Sequence, residues 1–174
     1  MNKDIVFTEV QRFRQVWLWA LLLAVSLPLL GLFGYGMVKQ LVLDQPWGSK
    51  PMSDTALLIV GSLTVLSGLG LPLLFFAMKM ATVVGRTGIS LRFLPFGKEE
   101  IAFADIAEAA ARSYSAIGEY GGWGVRSGGK GKAYNVSGDR GVQLVLRNGT
   151  RLLIGSQRAD ELAGAIQPFL SEKE

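Results

Sequence analysis

Residues 16–38 and residues 56–78 each form a continuous apolar run without one charged side chain. About 20 such residues are enough to cross the hydrocarbon core of a bilayer, and a buried helix of a soluble domain rarely needs so long an uncharged stretch. Helix is the expected conformation, because a segment surrounded by lipid must satisfy its backbone polar groups internally. Each run holds one proline, Pro28 and Pro72. Both are tolerated in a membrane helix, with a kink. Trp17, Trp19 and Tyr35 stand near the ends of the first run, where an interfacial aromatic belt is expected. A secretory signal peptide fits poorly, since the first apolar core is too long and no small-x-small cleavage site follows.

Flanking cations give the orientation. Lys3, Arg12 and Arg14 precede the first run, and Lys79, Arg86, Arg92 and Lys98 follow the second. The connecting segment holds only Lys39 and Lys50. Positive flanks stay on the cytoplasmic side. The expected protein is therefore a multi-pass protein of the cell membrane, with both termini cytoplasmic and the connecting loop outside. Two small-xxx-small pairs, Ala20/Ala24 and Thr64/Gly68, are read as chance spacing in helices rich in small residues, with close helix approach as the alternative. Residues 5–15 mix apolar and charged side chains and are expected to form an interfacial helical lead-in. The division is thus residues 1–79 for lead-in and hairpin, and 80–174 for a second domain.

That second part changes period. Ile89, Leu91 and Phe93 alternate with Ser90 and Arg92, as in a half-buried strand. Ile101 and Phe103 suggest another, with one helical turn at 104–106. Residues 108–115 are read as strand. Val142, Leu144 and Leu146 share a strand face, Asn148-Gly149 signals a two-residue turn, and residues 150–154 return. Ser156 is placed to cap a helix from about Gln157. Leu162, Ile166, Phe169 and Leu170 fall on one face of it, and Pro168 is expected to end or kink it. The pattern is α+β, or a small barrel closed by a helix.

The strings GGWGVR (121–126), KGKAYNVSGDRGVQL (130–144) and NGTRLLIGSQRADELAGAI (148–166) resemble the C-terminal part of small bacterial membrane proteins with two helices and a PH-like domain. EVQRFRQVWLW (9–19) and FLPFGKEEIAFADI (93–106) are similar to the same group. The resemblance covers most of the chain. It implies a two-helix transmembrane hairpin followed by a PH-like small β-barrel capped by a C-terminal helix. It implies binding or scaffolding rather than a reaction, and it assigns no ligand residue.

Composition narrows the chemistry further. The chain has no cysteine and no histidine. Disulfides, thiolate chemistry, zinc sites of the usual kind and His-based triads are excluded. Charged residues make up 18% against about a quarter in a soluble domain. The net charge of +4 is read as topology and proximity to anionic lipid rather than nucleic-acid binding. No cofactor is expected.

Residues 118–132 are dense in glycine and carry Arg126, Lys130 and Lys132. Gly124 to Lys130 matches G-x-x-x-x-G-K, but Gly131 stands where a P-loop needs Ser or Thr for magnesium. The dinucleotide fingerprint fails at Ser127. Two readings stay open: a glycine-rich strand connection with solvated cations, or a basic loop holding phosphate or an anionic headgroup, with Trp123 at headgroup level. The carboxylates Glu99, Glu100, Asp105, Glu108, Glu119, Asp139, Asp160 and Glu161 are read as structural, the last two at a helix N-terminus. The expected function is a membrane-anchored binding or scaffolding module that is not an enzyme. Its partners would be the bilayer and a protein of the membrane or cytoplasm. The alternatives are an accessory subunit of a transporter or signalling complex, and a small enzyme at the lipid interface.

Overall fold

The computed structural model describes residues 5–171, which divide into two compact units. One is Arg14–Ala77; the other joins the described residues before Arg14 to those from Met78 onward.

The first unit is a helical hairpin. α1 (Val16–Met37) continues through a π-helical turn, Val38–Val42, and α2 spans Asp54–Ala77. Both are long and apolar enough to cross a membrane, with mean hydropathy 2.3 and 2.1. Pro28 and Pro72 lie inside the helices. The buried residues are Ser26 and Gly36 in α1 and Leu57, Gly61 and Gly68 in α2. Apart from fully buried Leu57, the buried positions carry small side chains, while Leu21, Leu27, Leu63, Leu66 and Leu73 point outward. A Cβ at Gly61 would lie 2.5 Å from Met37 Sδ, and one at Gly68 would lie 3.0 Å from Leu30. Of the two spaced pairs, Gly68 meets Leu30 of the partner helix and Thr64 is half-buried, whereas Ala20 and Ala24 are exposed. The hydroxyls of Thr64 and Ser67 donate to Val60 O and Leu63 O at 2.8 Å, so neither depends on solvent.

The connecting loop is tied down. Gln40, on the π turn, donates through Nε2 to Met52 O and Asp54 Oδ1, both at 2.7 Å. Trp47 packs edge-on against Phe33, ring centroids 5.8 Å apart. It occupies the space a side chain at Gly36 would fill, with a Cβ there only 2.5 Å from the indole.

The second unit holds nine strands in two sheets. β1 (Ile5–Arg12), β2 (Lys79–Gly85), β3 (Gly88–Leu94) and β4 (Gly97–Ala102) form an antiparallel meander. A 3₁₀ turn, Phe103–Asp105, leads to β5 (Ile106–Ser113), and α3 (Ala116–Tyr120) follows. β6 (Gly124–Gly128), β7 (Gly131–Asn135), β8 (Arg140–Leu146) and β9 (Arg151–Gly155) complete a second sheet in the order β5-β8-β9-β7-β6. Every pair in it is antiparallel except β7 with β9. α4 (Ala159–Ser171) packs on β5 and β8 through buried Leu162 and Ile166. Phe169 stacks on Phe103, centroids 4.6 Å apart.

Several expectations are corrected. Residues 5–12 are strand β1, not an interfacial helix, so residues 5–13 belong to the β unit rather than to the hairpin. Among the described residues the strands do not close into a barrel: the ladder breaks between β4 and β5, and β5 pairs with β8 instead. The glycine-rich stretch is the β6–β7 hairpin. Gly131 lies at φ 103°, and a Cβ on it would come within 2.2 Å of Arg151 O in β9. Asn148-Gly149 sits in a three-residue loop: Leu146 N–H donates to Thr150 O at 2.8 Å, and Gly149 has φ 82°. Pro168 does not end α4, which runs to Ser171.

Candidate functional site

The register of β6 with β7 decides what the glycine-rich stretch can do. Ser127 pairs with Lys132, Val125 with Tyr134 and Arg126 with Ala133. Paired residues share a face and neighbours alternate. Lys132 therefore projects from one face of the hairpin and Arg126 from the other. The four residues expected at a headgroup site, Trp123, Arg126, Lys130 and Lys132, are not brought together on one surface.

On one side, half-buried Trp123 packs against the cluster of Tyr114, Ala116, Tyr120, Ala133 and Leu153. Arg126 Nε donates to Trp123 O at 2.9 Å, and Lys130 Nζ lies 3.8 Å from Glu119 Oε2. Glu119 is held mainly by Arg112, which donates to both carboxylate oxygens at 3.3 and 2.9 Å. It also accepts from Ser115 N at 2.9 Å. The Arg112 guanidinium and the Ser115 amide lower the Glu119 pKa to about 2. Arg112 reaches Tyr120 Oη and Gln143 Oε1 as well, so the whole group locks α3 onto the sheet.

On the other side, Lys132 ion-pairs with Glu99 of β4, Tyr134 Oη donates to the same oxygen, and the ammonium lies 4.9 Å from the Tyr134 ring centroid. Burial raises the Glu99 pKa, but the two hydrogen bonds and the Lys132 charge outweigh it and hold the carboxyl below its ordinary value. Phe93, Phe96, Glu99, Val125, Lys132 and Tyr134 line a cleft of about 250 Å³ there. Lys132 is thus committed to a carboxylate, and side chains rather than a backbone ladder link β4 to the second sheet.

The acidic residues read as structural include two in the first turn of α4. Asp160 pairs with Arg140 at 2.8 Å, and Glu161 pairs with Arg158.

A feature that sequence reasoning missed lies at β1. Its inward positions are Phe7, Glu9 and Gln11. Glu9 accepts from Ser156 Oγ at 2.5 Å and Gln157 N at 2.9 Å. Gln11 Nε2 donates to Gly155 O at 2.8 Å. These bonds staple the first strand to the β9–α4 junction. β1 and β2 are also hydrogen-bonded neighbours, with Arg12 opposite Lys79. The chain leaves Arg12 for α1 and reaches Lys79 from α2, with residues 13–15 and Met78 as the only connectors. The helical hairpin is therefore inserted between two adjacent strands of one sheet.

No family model matches the chain, and no curated protein matches it in sequence.

Proposed function

We propose that the protein is a membrane-anchored binding module: a PH-like β domain held against the inner leaflet by two transmembrane helices, with both termini cytoplasmic. The observation that carries this reading is the insertion of the hairpin between β1 and β2. Two short connectors leave one sheet end side by side, so the domain is tethered at two points. The leucine-covered outer surface of α1 and α2 supports a lipid surrounding, since a soluble monomer rarely exposes so large an apolar area. The four-stranded meander, second sheet and C-terminal helix support the PH-like assignment. The module's role is recognition at the bilayer surface, without a reaction.

Extraction of membranes with alkaline carbonate tests the anchoring. The full chain stays in the pellet and dissolves only in detergent. Release by carbonate would overturn the reading.

A further inference from the structure

The outward face of the first sheet concentrates positive charge at the end that joins the helices. Successive register rows make this plain. Arg12, Lys79 and Leu94 lie opposite one another across β1, β2 and β3. In the next row Arg92 lies opposite Lys98. Strand alternation puts these side chains on the face away from the buried Met80, Leu91 and Phe93. The β3–β4 turn extends the same end with Phe96. Leu94, two residues from Arg92 on the same strand face, is 42% exposed, and Phe96 in the turn is 61% exposed, its ring 6.0 Å from that of Phe93 at a cleft it shares with Lys98. Among the described residues, Glu100 lies on the same face, 3.1 Å from Lys98, while Glu99 shares a cleft with Phe96 and Lys98 and is paired with Lys132. Four cations, with Glu100 the carboxylate on their face and Glu99 taken up by Lys132, and two apolar side chains at the tip, are the composition of an interfacial anchor.

We infer that Arg12, Lys79, Arg92 and Lys98, with Leu94 and Phe96, form a docking surface for a bilayer leaflet containing anionic phospholipid. The inference rests on the membrane-anchored reading and replaces the glycine-rich hairpin as the headgroup-reading element. Charge complementarity selects the occupant. Continuity supports it, because Arg12 and Lys79 are the residues through which the sheet leads to α1 and α2. The cations engage lipid phosphates while Phe96 and Leu94 enter the headgroup–acyl boundary. By contrast, Lys132 is neutralised by Glu99, and Lys130 faces Glu119.

The absence of native cysteine makes the test direct. Full-length single-cysteine variants Phe96→Cys, Ser127→Cys and Leu66→Cys carry a polarity-sensitive fluorophore. They are reconstituted in phosphatidylcholine vesicles with or without phosphatidylglycerol, each containing spin-labelled lipid as quencher. The probe at residue 96 is expected to be quenched in anionic vesicles and to lose that quenching at high salt. It should also lose it when Arg92→Glu and Lys98→Glu are added, by about fivefold in the docking equilibrium per cation removed. The probe at residue 127 stays in water. An unquenched residue 96 beside a quenched residue 66 would overturn the docking surface and leave the anchoring intact. Quenching at 127 instead of 96 would return the role to the glycine-rich hairpin. An unquenched residue 66 would overturn the anchoring itself.

Discussion

The two units use the same aliphatic side chains in opposite ways. In the β unit, Leu144, Leu153, Leu162 and Ile166 are fully buried. In the hairpin, Ser26, Gly36, Gly61 and Gly68 are inside and most leucines are outside. A core held together by exclusion of water needs apolar groups inward. Helices in an apolar solvent gain nothing from that, and they associate through close packing of small residues. Each half of the chain thus packs as expected for the solvent proposed for it.

The largest expected effects test that contrast. Leu162→Ala removes a fully buried side chain and should destabilise the β unit by roughly 2–5 kcal/mol. Leu66→Ala, at a site 70% exposed, should leave detergent-solubilised stability nearly unchanged. Thermal unfolding of the two variants in the same detergent measures both. Equal losses would make the hairpin an ordinary core.

Next in size is Glu9→Ala. It strands Ser156 Oγ and Gln157 N and should cost about 1–3 kcal/mol. Hydrogen exchange at β1 and at the start of α4 should rise together. Exchange rising at β1 alone would show that the staple is not coupling the strand to the helix.

In the hairpin, Gln40→Ala releases the loop from Met52 and Asp54 at a cost of ~1 kcal/mol. Cleavage within residues 43–53 by an added protease should accelerate, with the helices unaffected. An unchanged rate would mean that Trp47 alone holds the loop.

The smallest effect is pH-dependent. Glu119 has its pKa lowered from 4.5 to about 2, first by Arg112 and then by Ser115 N–H. A depressed carboxylate contributes stability above its unfolded pKa and loses it as pH falls through the folded one. That contribution should be complete above about pH 5 and fade toward pH 2. Glu119→Gln should flatten this part of the stability profile, measured by melting at stepped pH. An unchanged acid slope would assign it to other carboxylates.

How legible these features were depended on whether the signal is local to its segment. The apolar runs at 16–38 and 56–78 carry their own length and hydropathy, and α1 and α2 follow them closely. Alternation at Ile89, Leu91 and Phe93, and Ser156 before Leu162 and Ile166, also translated directly into β3 and α4, while Asn148-Gly149 marked the β8–β9 hairpin with a loop one residue longer than expected. β1 was hidden because its pattern is inverted. Glu9 and Gln11 point inward to specific hydrogen-bond partners about 145 residues away, while Val6 and Val10 point outward. Barrel closure was misjudged because local strand signals say nothing about which edges pair. The four candidate residues divide between two faces by parity. Arg126 and Lys132 are near in sequence, but the even spacing between them spans the β6–β7 turn, so pairing sets their faces. The cationic rows of the first sheet depend on strand register, which no stretch of sequence displays by itself.

A hairpin that crosses the bilayer twice puts its connecting loop and the C-terminal helix on opposite sides of the membrane. Lys50→Cys and Ser171→Cys, each the single cysteine of the full chain, should be treated with a membrane-impermeant maleimide in right-side-out vesicles. Lys50→Cys should label at once, and Ser171→Cys only after the vesicles are opened. Labelling of both in intact vesicles, or of neither, would contradict a hairpin that crosses the membrane twice beneath a cytoplasmic β domain.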